Sequence, residues 1–373
     1  MTTGRSILLG CFLVAAAAGP IAGADDVPPA GLAGAFEPPP ELAGDLGTHR
    51  SPLMFEDGRV ARTKAEWRER RREILGQWRA RIGEEPPRIE KPKVEVLGEE
   101  RRGTYLQRRL RVEVAADRIE PAYLLVPDGP GPHPAVLVVF YEPETAIGLG
   151  TKPRRDFARR LAERGFVCLS IGFDPRVLDP SKWEPPIQPL AYLAHVASNA
   201  LTAMRAMPEV DPARVGVMGH SYGGKWAMFA ACLDERFACG VWSDPGIVFD
   251  EGRRDVNYQE PWYLGWEPGR KRKPGLVTPE NPRTGAYAKL VADGRDLHEL
   301  LALMPPRPFL VSGGAEDGPA RWRALNHVLA VDALLGVRRG VAMTNRPAHE
   351  PTDESNEQID DFLESVLVPR PRP

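Results

Sequence analysis

Cysteine is scarce in this chain, with four among 373 residues. Cys11 falls in an apolar N-terminal leader, and Cys168, Cys232 and Cys239 each sit in an apolar run. The last three are odd in number, and no C-x-x-C or Cys/His cluster has zinc-ligand spacing. That excludes a disulfide-stapled scaffold and a zinc module, and it predicts buried core thiols. An excess of one charge sign is missing as well: 49 Lys+Arg stand against 51 Asp+Glu, a formal charge of −2. A nucleic-acid binder carries a basic excess, so no nucleic-acid partner is expected. Glycine and proline make up about a fifth of the chain, less than a disordered low-complexity sequence carries. Past the leader no stretch is apolar enough to cross a bilayer. What is present is a hydrophobic fraction of 42%, enough for a sizeable core. The length allows two domains, but one large α/β domain with insertions fits as well.

The leader reads as a targeting segment. Arg5 is followed by an apolar run over residues 7–18, then by the small-residue cleavage site Ala22-Gly23-Ala24 and the acidic pair Asp25-Asp26. Residues 1–24 are therefore expected to be an export signal, giving a secreted or periplasmic protein with no stable membrane insertion after cleavage. Leu8-Leu9-Gly10-Cys11 looks like a lipoprotein box, but the apolar run continues past Cys11, so lipidation is the lesser alternative. Residues 25–90 form an N-terminal extension. It is Pro-rich and aperiodic to about residue 60, as a surface-wrapping leader or a tether would be. A helix follows over 64–82, where Trp67, Arg71, Ile74, Leu75, Trp78 and Ile82 recur at spacings of three and four until Pro86-Pro87 stops it.

Strand patterns occupy 94–97, 105–114 and 122–126. The continuously apolar run 135–141 (AVLVVFY) suits a strand buried on both faces. Strands at 166–171, 215–218, 238–242, 308–312 and 339–343 then alternate with helices at 155–164, 190–207, 221–233, 320–335 and 355–367. Such alternation predicts a mixed sheet with helices on both faces. It breaks between Trp242 and Pro308. That stretch holds Tyr258, Trp262, Tyr263 and Trp266 among several prolines, and it is read as a cap over about 245–305, above the carboxyl ends of the strands.

The sharpest signal is Gly219-His220-Ser221-Tyr222-Gly223, a G-x-S-x-G between a strand and an apolar helix. Small residues flank a serine held at a helix N-terminus, where N–H groups favour developing negative charge. Serine needs a base to act as a nucleophile. His349 follows the last strand and precedes the closing helix, the place for such a base. His195 and His327 lie within helices and read as packing or surface residues, and His220 should point away from Ser221. The base needs a carboxylate to fix its tautomer. Asp317, in Gly313-Gly314-Ala315-Glu316-Asp317-Gly318-Pro319, has the favoured placement after a strand. Its neighbour Glu316 and Asp244, after the preceding strand, are the alternatives. The oxyanion donors should be the Tyr222 backbone N–H and one from the loop after 135–141, at Tyr141 or Glu142.

GHSYGG, GGAEDGP and the His349 segment give the chain a resemblance to the α/β-hydrolase superfamily, in its dienelactone-hydrolase-like and acetyl-xylan-esterase-like branch. The order Ser221…Asp317…His349 is the order of that superfamily. The resemblance covers about residues 92–368. It implies an α/β-hydrolase fold over 91–368: a mostly parallel eight-stranded sheet flanked by helices, with the cap inserted between strands six and seven. It implies a serine hydrolase that cleaves esters through an acyl-enzyme, without metal or cofactor, and a monomer is expected. A narrower resemblance is to glucuronoyl esterases, whose nucleophile segment reads G-C-S-R-x-G-K. Gly219, Ser221, Gly224 and Lys225 match it, and His220 and Tyr222 depart from it. In that family the arginine after the serine assists the oxyanion, which Tyr222 cannot do in the same way, and the lysine contacts the sugar. Lys225 is thereby a candidate substrate contact. Trp262 and Trp266 are candidate stacking surfaces for sugar rings, with a small cap core as the alternative. The expected substrates are small-molecule or polysaccharide esters. Rival readings are a small-lactone hydrolase, a prolyl-oligopeptidase-like peptidase and a non-catalytic carbohydrate binder.

Overall fold

The computed structural model describes residues 28–116, 118–183, 186–254 and 257–368, so the leader read as an export signal lies outside the described residues. The sheet has nine strands: β1 Val94–Arg102, β2 Tyr105–Ala115, β3 Arg118–Pro127, β4 His133–Phe140, β5 Val167–Gly172, β6 Val210–His220, β7 Cys239–Ser243, β8 Phe309–Gly313 and β9 Val341–Asn345. Their order across it is β1-β2-β3-β5-β4-β6-β7-β8-β9. β5, β4, β6, β7, β8 and β9 run parallel, whereas β1, β2 and β3 pair antiparallel with their neighbours and with β5.

The expected eight-stranded, mostly parallel sheet is therefore corrected to nine strands in a mixed sheet, and the insertion separates β7 from β8. The added edge arises locally. A tight hairpin joins Arg102 to Tyr105 around Gly103, whose φ of 56° suits glycine. β1 buries almost nothing and is held by its ladder to β2.

The helices are α1 Lys64–Ile82, α2 Pro143–Ala146, α3 Phe157–Glu163, α4 Pro189–Arg205, α5 Tyr222–Leu233, α6 Gly285–Ala292, α7 Leu297–Leu301, α8 Trp322–Leu335 and α9 Asp353–Leu367. The pleat divides the core between them. Ala135, Leu137 and Val139 of β4 join α1, α4, α5 and α8 on one face. Val136 and Val138 join α3 and α9 on the other. An apolar run buried on both sides is what this division requires.

α1 has the predicted bounds, started by Thr63, whose Oγ1 accepts the Glu66 N–H at 3.2 Å. Its buried face is Trp67, Arg70, Ile74, Trp78 and Ile82. The Arg70 guanidinium is buried because it donates to Pro52 O and to Glu73. The Pro-rich part of the N-terminal extension wraps the surface: Leu32 packs under α9, and Ala35 O accepts from Met343 N at 2.7 Å on edge strand β9. His298 Nε2 and His327 Nε2 hold the same extension through Arg50 O and Leu46 O. Cys168, Cys232 and Cys239 are free and buried. Among the described residues no helix is long and apolar enough to cross a membrane.

The insertion contains α6 and α7 and is joined firmly to the domain. Tyr258, Tyr263, Leu264 and Tyr287 enter the main core, and Arg272 pairs with Glu260 at 3.1 Å with both side chains buried.

Candidate active site

β6 delivers the chain to Ser221, and α5 leaves from it. Ser221 has φ 58° and ψ −119°, a strained conformation for a residue with a side chain. The flanking glycines explain how the turn is possible. A Cβ on Gly219 would lie 2.1 Å from Gly223 O, and one on Gly223 would lie 2.1 Å from Val139 O. Ser221 N donates to Ser243 O at 2.7 Å, which ties the turn to the end of β7.

His349 Nε2 lies 2.8 Å from Ser221 Oγ, and His349 Nδ1 lies 2.7 Å from Asp244 Oδ2. The structure thus brings His349 to Asp244 and not to Asp317. Asp244 directly follows β7 with a φ of 54°, and this turn aims its carboxylate at the histidine. Its other oxygen accepts the Asp317 N–H at 2.8 Å and the Glu316 N–H at 3.1 Å. Asp317 is fully buried, but its two oxygens are taken by the N–H groups of Gly246 and Ile247, both at 2.7 Å. Asp317 therefore braces the loop that carries Asp244. The Glu316 carboxylate faces Arg253 at 3.4 Å. The sequence signal for Asp244 was its place at a strand end ahead of Pro245-Gly246, which outranks nothing without the fold.

The two carboxyls are driven apart. Burial alone would raise Asp244, but the His349 hydrogen bond, the Asp317 N–H and the Arg346 charge outweigh it and hold the group below its ordinary value. Burial and then the Asp244 charge push Asp317 up to about 6, against its two backbone donors and Arg321. An ionised Asp244 is what a histidine taking up a proton requires.

Tyr222 opens α5, so its N–H is among the first of the helix, which have no intrahelical partner. Tyr141 directly follows β4, and its ring stacks on Tyr222 with centroids 4.0 Å apart and planes at 17°. The two expected oxyanion residues are thus adjacent. The Tyr222 hydroxyl donates to Phe173 O at 3.1 Å, so its side chain is a wall and not an oxyanion donor. Lys225 is buried, with Nζ 5.0 Å from the Tyr258 ring and 5.5 Å from that of Tyr263. Of the four cap aromatics, Tyr258 and Tyr263 are core residues, whereas Trp262 and Trp266 are half-buried. Gln188 clasps the Trp266 backbone, donating to its carbonyl at 3.0 Å and accepting its N–H at 3.2 Å. His195 packs against Asn199, and His220 turns to Ser243 Oγ at 3.0 Å, away from the nucleophile.

Solved structures that share this architecture include glucuronoyl esterases. A glucuronoyl esterase from Solibacter usitatus matches with a TM-score of 0.68 at 19% identity, over 86% of this chain and 98% of that one. The chain has the fold of the glucuronoyl esterases. A glucuronoyl esterase of carbohydrate esterase family 15 from Teredinibacter turnerae shares the fold with a TM-score of 0.62 at 18% identity, over 85% of this chain and 89% of that one. One from Caldicellulosiruptor kristjansonii gives 0.61 at 21% identity, over 86% and 91%. The sequence profile described as the prolyl oligopeptidase family matches residues 197–278, which span α4 to the cap and so include the Ser221 turn of this glucuronoyl-esterase fold. No curated protein matches the chain in sequence.

Proposed function

We propose that this chain is a serine esterase acting on esters of carbohydrates, with uronate and acetyl esters the favoured classes. Ser221 attacks the ester carbonyl, and His349 takes its proton and returns it to the leaving alcohol. Asp244 orients His349 and stabilises the imidazolium, and the Tyr222 and Tyr141 N–H groups receive the oxyanion. Water then hydrolyses the acyl-enzyme by the same route. The observation that carries this reading is the unbroken relay from Ser221 through His349 to Asp244, at 2.8 and 2.7 Å. The substrate class is supported by the shared fold, by Lys225 on the helix that leaves Ser221, and by the half-buried Trp262 and Trp266 of the insertion. The match over residues 197–278 favours a second reading, a peptidase with the same relay.

The test is labelling with a fluorophosphonate, followed by a panel of methyl glucuronate, acetyl-xylan, p-nitrophenyl and prolyl-peptide substrates. Labelling that is lost in Ser221→Ala, with turnover of uronate or acetyl esters, is the expected result. Labelling with turnover of peptides alone would replace the esterase with the peptidase, and no labelling would leave a binding protein.

A further inference from the structure

Arg346 lies three residues before the base, and its side chain is buried beneath the site. Nε donates to Glu350 O at 2.9 Å, and Nη2 donates to His349 O at 2.7 Å and to Ser243 Oγ at 3.2 Å. Nη1 donates to Ser312 O at 2.8 Å, to Ser312 Oγ at 3.1 Å and to Gly313 O at 3.3 Å. All three nitrogens are therefore engaged, on the ends of β7 and β8 and on the loop that presents the histidine. The rigid fork of arginine can span these acceptors, and a lysine ammonium cannot.

Arginine only donates, so the Ser243 oxygen accepts from it, and the same oxygen lies 3.0 Å from His220 Nδ1. His220 Nε2 is buried without a hydrogen-bond partner among the described residues. Its ring centroid is 4.8 Å from that of His349. Burial, then His349, Arg155 and Arg346, hold His220 well below its ordinary value, so it is neutral. A charged His220 at that distance would oppose the imidazolium that forms on His349.

We propose that Arg346 is a positioning residue for the catalytic base. It clamps the His349 loop to β7 and β8 and, through Ser243, reaches the His220 ring packed against His349. The proposal rests on the reading of His349 as the base of Ser221. The charged and titratable groups around that imidazole are Asp244 and His220 from the strand ends, Arg155 ahead of α3, and Arg346 and Glu350 from its own loop. Glu316 and Asp317 stand behind Asp244.

The experiment compares full-length wild type, Arg346→Lys and Arg346→Gln by the pH dependence of the fluorophosphonate labelling rate, which needs no knowledge of the substrate. Displacing a base by about 1 Å costs on the order of 100-fold. Arg346→Lys, which keeps the charge but loses the span, should label about 10- to 100-fold more slowly with its pH midpoint unmoved. Arg346→Gln should be at least as slow, with its acid limb moved to higher pH because a positive charge beside His349 is gone. If Arg346→Gln does not fold, Arg346→Lys decides alone. A folded Lys or Gln variant that labels within about twofold of wild type, with the wild-type profile, overturns the proposal. Persistent labelling of Ser221→Ala would instead show that the underlying serine reading is wrong.

Discussion

Asp244→Asn and Asp317→Asn exchange the same atoms at two buried carboxylates that hydrogen-bond to one loop, yet they should fail in different ways. Asp244 Oδ2 accepts from His349 Nδ1 at 2.7 Å, and Oδ1 already holds two backbone N–H groups. An asparagine there can keep its carbonyl on those N–H groups only by presenting its NH2 to the histidine. That forces the Nδ1 proton onto Nε2, which faces Ser221, and the base can no longer accept. A comparable exchange in another serine hydrolase costs about 10⁴-fold in kcat. Asp317 touches no reacting group. Its exchange removes one of two acceptors for Gly246 N and Ile247 N, so a buried N–H loses its partner at about 1–3 kcal/mol. Asp317→Asn should therefore lower the melting temperature and reduce kcat by about tenfold or less through the loosened Asp244 loop. The assay is kcat and KM on p-nitrophenyl acetate, with a thermal melt of each variant. A larger loss of kcat in Asp317→Asn than in Asp244→Asn, at an unchanged melting temperature, would refute the assignment and return the acid to the position favoured by sequence spacing.

Four further outcomes follow from the same geometry. Gly223→Ala should abolish labelling and destabilise the protein in a thermal melt, because its Cβ would sit 2.1 Å from Val139 O, where neither backbone can give way. Asp332 is buried on α8 with neither carboxylate oxygen hydrogen-bonded, and burial pushes it from an ordinary 3.8 up to about 7. The folded state therefore favours the protonated acid, and that stabilisation is complete below 3.8 and lost as pH rises through 7. Asp332→Asn should thus gain on the order of 2–3 kcal/mol relative to wild type between pH 5 and pH 8, read by denaturant melts at both pH values; equal pH dependence in the two proteins would refute it. Trp262→Ala and Trp266→Ala should lower kcat/KM on carbohydrate esters by about 2- to 15-fold while sparing p-nitrophenyl acetate. Tyr258→Ala should lose about 3–5 kcal/mol of stability as a core truncation, seen in a denaturant melt. Equal losses on large and small esters in the tryptophan variants would assign them to the cap core.

The elements were legible where a local cause sufficed. Periodicity placed α1 at Lys64–Ile82, and the run at β4 announced burial on both faces, because side-chain spacing follows directly from helix and strand geometry. The Ser221 turn could be read because its glycines answer a backbone collision between residues four apart. The eight-stranded, mostly parallel sheet was implied by the resemblance and not by the strand patterns, and the exposed edge strand β1, laddered to β2, overturns it.

What the sequence alone determined about the site was the pair Ser221 and His349 as candidates, each fixed by its position at the end of a strand. Which carboxylate reaches His349 was decided by tertiary structure. Asp244 and Asp317 both follow strands, and both fit the chemistry on paper. Only the packed loops show that the N–H groups of Gly246 and Ile247 occupy Asp317, while a left-handed turn at Asp244 frees one oxygen for the histidine. Arg346 is hidden for the same reason: its partners lie on β7, β8 and its own loop, and one arginine ahead of a histidine says nothing of them. Local sterics are written along the chain, whereas the partner of a buried charge is set by which distant segments the fold packs beside it.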